Sequence, residues 1–102
     1  MIFHIADRDR WLAAQADGAC TASTLGRELA EEGFIHLSTA DQVAGVRERY
    51  YQGVPNLVLL HIDETVLTAP LVYEQPEGAT EEFPHLYGPL NPNAVVNVED
   101  LK

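Results

Sequence analysis

The run Leu57-Val58-Leu59-Leu60-His61-Ile62 limits the fold of this chain more than any other stretch. It has the length of a strand, and large aliphatic and β-branched side chains favour extended backbone. A half-exposed strand alternates apolar with polar residues, and this run is nearly continuous. It predicts a strand buried on both faces, at the centre of a sheet.

Other elements can be placed around that strand. Residues 2–5 read as a short opening strand. Asp7 is suited to cap a helix with Trp11, Leu12 and Ala16 on its inner side, and Gly18 to stop it. Small polar residues from Thr21 lead into an expected short helix over 21–32, carrying Leu25 and Leu29 and ended by Gly33. Residues 34–38 read as a strand, with Phe34, His36 and Ser38 on one face and Ile35 and Leu37 on the other. Thr39-Ala40-Asp41-Gln42 has the form of a capping box, so a helix is expected to start at Thr39 and to bury Val43, Val46 and Tyr50.

Gln52-Gly53-Val54-Pro55-Asn56 is a break. Residues 71–75 read as a strand, 76–82 as a solvated loop and 94–98 as a closing strand. Residues 85–90 read as irregular, because Pro84 and Pro89 bracket them and a central strand does not hold proline. Helices come early and strands late, which predicts an α+β domain rather than a doubly wound sheet. The strands near 2–5, 34–38 and 57–62 are expected in one sheet, with the helix from Thr39 packed on it.

The 102 residues suffice for one domain, 1–102, with a single core, and 46% of them are hydrophobic. A lone cysteine, Cys20, allows no internal disulfide and no cysteine cluster for zinc, which favours a reducing, cytoplasmic setting. No apolar run has the length of a membrane span, and Met1-Ile2-Phe3-His4-Ile5 has no basic start that would mark a signal peptide. The formal net charge is −10. Arg8, Arg10, Arg27, Arg47 and Arg49 all lie in the first half, and the next cation is Lys102. Neither nucleic acid nor an anionic membrane is an expected partner. A local anion pocket would have to draw on those arginines.

Two histidine-centred segments carry the candidate chemistry. In Gly33-Phe34-Ile35-His36-Leu37-Ser38-Thr39, His36 and Ser38 share a strand face. Thr39 adds a hydroxyl, and a following helix N-terminus would offer free N–H groups to an anion. In Phe83-Pro84-His85-Leu86-Tyr87-Gly88-Pro89-Leu90, His85 and Tyr87 stand two residues apart on a segment stiffened by proline. Burying an imidazole needs hydrogen-bond partners, and this chain does so twice. The competing reading is that both imidazoles pack in the core and tie down backbone carbonyls. Glu74 is the best internal carboxylate, able to polarise a hydroxyl or stabilise a developing cation, or else an edge-strand acid facing water. His4 reads first as a satisfied core residue. His61 and Asp63 are two residues short of a metal site, and no metal is expected. Cys20 has no neighbour that would activate it, and Ser38 has no nucleophile elbow around it.

Several of these segments together resemble the family catalogued as domain of unknown function nine-five-two. The match rests on Ile2-Phe3-His4-Ile5-Ala6, Glu32-Gly33-Phe34-Ile35-His36-Leu37-Ser38-Thr39, Asn56-Leu57-Val58-Leu59-Leu60, Tyr73-Glu74 and Phe83-Pro84-His85-Leu86-Tyr87-Gly88-Pro89-Leu90. Members of that family resemble, remotely, the ADP-ribosyltransferase fold. That resemblance implies a split, curved, mixed β-sheet with a few short helices and a cleft for a nicotinamide dinucleotide, with NAD as a candidate substrate. Together with the residue readings above, it gives His36, His85 and Glu74 as candidate catalytic residues and His4, Ser38, Thr39 and Tyr87 as candidate ligand-binding residues. The expected activity is transfer or hydrolysis at a nucleotide or ADP-ribosyl-type small molecule. The two alternatives are a non-catalytic module binding a small nucleotide or acidic metabolite, and a structural domain whose histidines lock the fold.

Overall fold

The computed structural model describes residues 1–24 and 27–101. The elements are β1 (Ile2–Asp7), α1 (Arg8–Asp17), β2 (Ala22–Thr24), β3 (Arg27–Glu28), α2 (Leu29–Glu32), β4 (Ile35–His36), α3 (Val43–Tyr50), β5 (Leu57–Ile62), β6 (Leu71–Glu74), β7 (Phe83–Leu86) and β8 (Val95–Leu101). Single 3-10 turns cover Glu64–Val66 and Pro92–Ala94. Among the described residues no helix is long and apolar enough to cross a membrane.

Among the described residues the strands form three small sheets, ordered β1-β5-β8, β2-β3 and β4-β7-β6. The fold is α+β, as expected. Every strand pairing is antiparallel, so the expectation of a mixed sheet is corrected. Parallel neighbours need a long crossover, and the connections here bring each strand back against its partner instead.

β5 is central in its sheet, and its aliphatic residues are buried on both faces. On one face, Val58, Leu60 and Ile62 join Ile2 and Ala6 of β1, Trp11 and Ala14 of α1, Ile35, Leu37, Leu86 and Leu90 in the main core. On the other face, Leu57 and Leu59 join Ile5 and Tyr51 in a second core that Val43 and Val46 of α3 cover. The continuous apolar run follows from this, since both pleat directions of β5 meet a layer of protein.

Several local expectations need correction. Asp7 caps α1 by accepting the Arg10 N–H at 3.1 Å, and Gly18 ends it in the left-handed conformation, φ 82°. The buried side of α1 is Trp11 and Ala14, whereas Leu12 and Ala16 are exposed. The expected helix over 21–32 is the β2-β3 hairpin followed by the single turn α2, and Leu25 lies outside the described residues. β4 is not in the sheet of β1 and β5. It meets β1 through one bridge, in which Phe3 and Ser38 exchange both backbone hydrogen bonds at 2.8 Å. α3 starts at Val43 after a turn, and Tyr51 rather than Tyr50 is its buried aromatic end.

The largest correction is β7. The segment read as irregular contributes His85 and Leu86 to a strand, and that strand is the centre of its sheet. Pro84 is tolerated there because of position. Its carbonyl accepts the Leu37 N–H at 3.0 Å, so its ring nitrogen faces the same neighbour, just where β4 pairing ends at His36.

His4 joins the two larger sheets. It is buried on β1, and its Nδ1 donates to the His36 carbonyl of β4 at 2.9 Å. Burial lowers its pKa from 6.5 to about 4, against hydrogen bonds to the backbone that raise it. The unfolded chain therefore takes up this proton first as pH falls. Stability from His4 is complete above pH 6.5 and is lost between pH 6.5 and about 4. The loss amounts to about 3 kcal/mol. His4→Gln keeps a donor for the His36 carbonyl but does not titrate. Urea unfolding at pH 7 and pH 4 is expected to show a smaller acid loss in this variant, by that amount. Equal losses in the two proteins would remove His4 from the acid sensitivity.

Candidate functional site

The β4-β7-β6 sheet assembles the candidate site. His36 and His85 are direct cross-strand partners, and Val72 faces His85 from the other side. Glu74 lies two residues beyond Val72, so the pleat puts His36, His85 and Glu74 on one face. Ile35 and Leu86, the neighbouring pair in the same register, point the other way and are fully buried in the core. The two imidazoles meet edge to face, with centroids 5.4 Å apart.

Each imidazole has a carboxylate. His85 Nδ1 lies 2.9 Å from Glu74 Oε1, and His36 Nε2 lies 2.9 Å from Glu32 Oε1. The Tyr87 hydroxyl donates to the same Glu74 oxygen. The hydrogen bonds from Tyr87 first, and then from His85, hold the Glu74 carboxyl below its usual range. The same bond pushes the Tyr87 phenol up. The His36 bond does for Glu32 what Tyr87 does for Glu74, and the other Glu32 oxygen takes Arg27 at 2.7 Å. An ionised carboxylate only accepts, so Nδ1 of His85 carries the hydrogen, and in a neutral ring Nε2 would keep a lone pair. That Nε2 is buried and has no hydrogen-bond partner.

Phe34 covers the pair. Its ring stacks on His85 at 4.0 Å and 19°, and lies 4.7 Å from the ring of His36 and 5.4 Å from that of Tyr87. Gly33 turns the chain into this position in the left-handed conformation, φ 88°. Ser23 Oγ then donates to the Phe34 carbonyl at 2.5 Å. Alternation along the strand places Phe34 beside His36, but its role as the cover of His85 depends on β7. Glu32 carried no such sequence signal, because the turn at Gly33 separates it from the strand.

The remaining expected residues lie elsewhere. His4 reaches His36 through the backbone and not through the ring. Ser38 is buried with its N–H bonded to Phe3, and the Thr39 N–H donates to Gln42 Oε1 at 2.9 Å. The N–H groups of Ser38, Thr39 and Gln42 are thus already taken. The Gln42 amide instead donates to Glu81 Oε1 at 2.7 Å and to the Glu82 carbonyl at 2.6 Å, tying the 76–82 loop to the start of α3. Arg8 and Arg10 are paired with Asp100 and Glu28, and Arg49 lies over the Tyr50 ring. Cys20 is buried, and burial raises its thiol pKa. Among the described residues, no three His, Cys, Asp or Glu side chains are grouped to hold a metal ion.

An open cleft of about 730 Å³ lies between α3 and the outer face of the β1-β5-β8 sheet, lined by residues such as Val43, Arg47, Tyr51, His61 and Glu99. None of His36, Glu74, His85 and Tyr87 borders it. The carboxylate-paired imidazoles and the unpartnered nitrogen lie at the histidine cluster, away from this cleft.

The Tyr87–Glu74 contact makes a direct prediction. Tyr87→Phe removes the largest influence on Glu74, and its carboxyl titration is expected to move up towards 4.5. A carbon-13 NMR titration of the side-chain carboxyl measures this. An unmoved midpoint would mean that Tyr87 does not hold Glu74 ionised.

The fold recurs in a solved protein. The crystal structure of protein CC0527 from Caulobacter crescentus is 36% identical, has a TM-score of 0.85, and is matched over 99% of this chain and 85% of that one. Its double mutant is 35% identical with the same TM-score and coverage. Its solution NMR structure is 36% identical with a TM-score of 0.81, over 99% and 84% of the two chains. No curated protein matches the chain significantly. The family model described as protein of unknown function (DUF952) matches residues 5–98, and the chain belongs to that family.

Proposed function

We propose that this domain is a cytoplasmic enzyme of group transfer or hydrolysis on a nucleotide or ADP-ribosyl-type ligand, with NAD as a substrate to be tested. The observation that carries the reading is His85. One ring nitrogen is held by an ionised carboxylate, and the other is buried and free of partners. This is the arrangement of an oriented general base.

His85 Nε2 takes the proton of a water or alcohol. The oxygen forms a bond to the anomeric carbon as the bond to the leaving group breaks, and the electron pair departs with that group. Glu74 then faces an imidazolium and a cationic ring carbon, and its charge stabilises both. His36, fixed by Glu32, offers Nδ1 as an acceptor for a ribose hydroxyl. In this reading Ser38, Thr39 and His4 set the position of the β4 strand. Tyr87 keeps Glu74 ionised.

One observation favours the structural alternative: the buried side of His85 is closed by Phe34. A purely fold-locking histidine is expected to bond backbone, as His4 does. His36 and His85 instead bond carboxylates.

Turnover of NAD and of ADP-ribosyl esters, followed by NMR, tests the proposal. His85→Gln is expected to lower the rate by about 10²–10⁴-fold, the range for loss of a general base. His36→Ala is expected to abolish the ligand-dependent thermal shift while leaving a folded protein. A thermal shift without turnover gives the binding module. Neither shift nor turnover gives the structural domain.

A further inference from the structure

We infer that the Phe34 ring sits in the seat of a flat, non-anionic ring of the ligand. The inference rests on the reading of His85 as a functional residue and adds what its partner must look like. His85 is only 3% exposed, yet its Nε2 has no partner. Buried polar atoms are nearly always paired, so this one is satisfied in another state of the molecule.

Phe34 is what stands over it. Its ring is nearly parallel to the imidazole and has His36 and Tyr87 as further neighbours. The three rings border one ring position, with His85 parallel to it at 19° and His36 and Tyr87 tilted against it at 57° and 48°. Phe34 itself is half-buried, so its outer side meets solvent. Its backbone is pinned by Ser23 and by the Gly33 turn, which leaves side-chain rotation as the way to vacate the slot. A ring of the ligand in that place would stack on His85, with a substituent at the imidazole edge.

Charge and hydrogen bonding narrow the class. Glu32 and Glu74 both border the cluster, and Arg27 is already paired with Glu32. An anionic group entering there meets two carboxylates. A neutral imidazole accepts at Nε2, so the proposed ligand ring carries a donor. The ligand part is a neutral or cationic flat ring bearing an N–H or O–H donor, and any phosphate or carboxylate of a larger ligand stays outside the slot.

Benzamidine, benzamide and benzoate share one flat ring and carry charges of opposite sign or none, and cyclohexanecarboxamide is the puckered control. Each is titrated into the wild-type chain and into Phe34→Ala, following the imidazole signals of His36 and His85 and the ring of Tyr87 by NMR. Phe34→Ala is expected to bind benzamidine and benzamide at least ten-fold tighter than the wild type, with those three residues shifting. Benzoate and the puckered amide are expected to bind at least ten-fold more weakly than benzamide. Equal affinity of the two proteins, equal affinity for benzoate, or shifts confined to other residues would each overturn the inference. Should Phe34→Ala fail to fold, carbethoxylation of His85 in the wild type decides instead. Protection by benzamidine and not by benzoate supports the seat, and no difference overturns it. The two proposals fail separately: His85-dependent turnover without probe binding removes the seat alone, and probe binding without turnover removes the catalytic reading alone.

Discussion

The pairing of β4 with β7 is the constraint on which the rest depends. Two adjacent cross-strand pairs define it: Ile35 with Leu86, and His36 with His85. One pair is fully buried in the main core, and the other carries the imidazoles. Because strand side chains alternate, a slip of one residue would turn the imidazoles into the core and the aliphatic pair outward. Core packing therefore sets the register of the histidines. The same apolar burial that stabilises the fold brings His36 to His85, although 49 positions separate them along the sequence. His4 adds to this from the other sheet by holding the His36 carbonyl, which fixes β4 at the residue that matters.

The parts of the fold that were legible in the sequence were those set by short-range pattern. The apolar run at β5 gives its central place, and Asp7 and Gly18 give the ends of α1. Alternation gives the two faces of the segment around His36. What was not legible depended on long-range pairing. Pro84 argues against a central strand, and only the abrupt end of β4 makes room for it. The Thr39 motif signals a helix start, but Gln42 uses its amide on Glu81 and Glu82 as well as on Thr39, and the helix begins later. The Thr21 segment had helix-forming residues near its end, yet the hairpin gives its backbone a partner that an isolated short helix lacks.

The same division holds for the candidate site. His36, His85, Glu74 and Tyr87 were named from residue type and setting, and the sheet brings those four together. Ser38 and Thr39 were named for hydroxyls near His36 and a helix start that lies further on, and their N–H groups serve the protein itself. Glu32 and Phe34 complete the cluster through a turn and a stacking contact, neither of which is a sequence motif. The expected anion pocket depended on arginines, and the chain's acidic excess supplies carboxylates to Arg8, Arg10 and Arg27. An excess of acid thus shapes the site, since its ionised groups are carboxylates.

That has a consequence for stability. Leaving a buried nitrogen without a partner costs about 1–3 kcal/mol, a large share of what holds a small domain together. A leucine or phenylalanine at position 85 would fill the same space without that cost, and a histidine turned to a backbone carbonyl would recover it. The chain instead spends Nδ1 on Glu74, adds Tyr87 to keep Glu74 ionised, and lays Phe34 over the face of the ring. Each of these contacts is made to the His85 ring or to the carboxylate that holds it. Such agreement among local contacts is what the proposed proton-transfer role would require. His4 shows the opposite solution within the same fold: one imidazole, fully buried, bonded to backbone and kept neutral by burial down to a pKa of about 4.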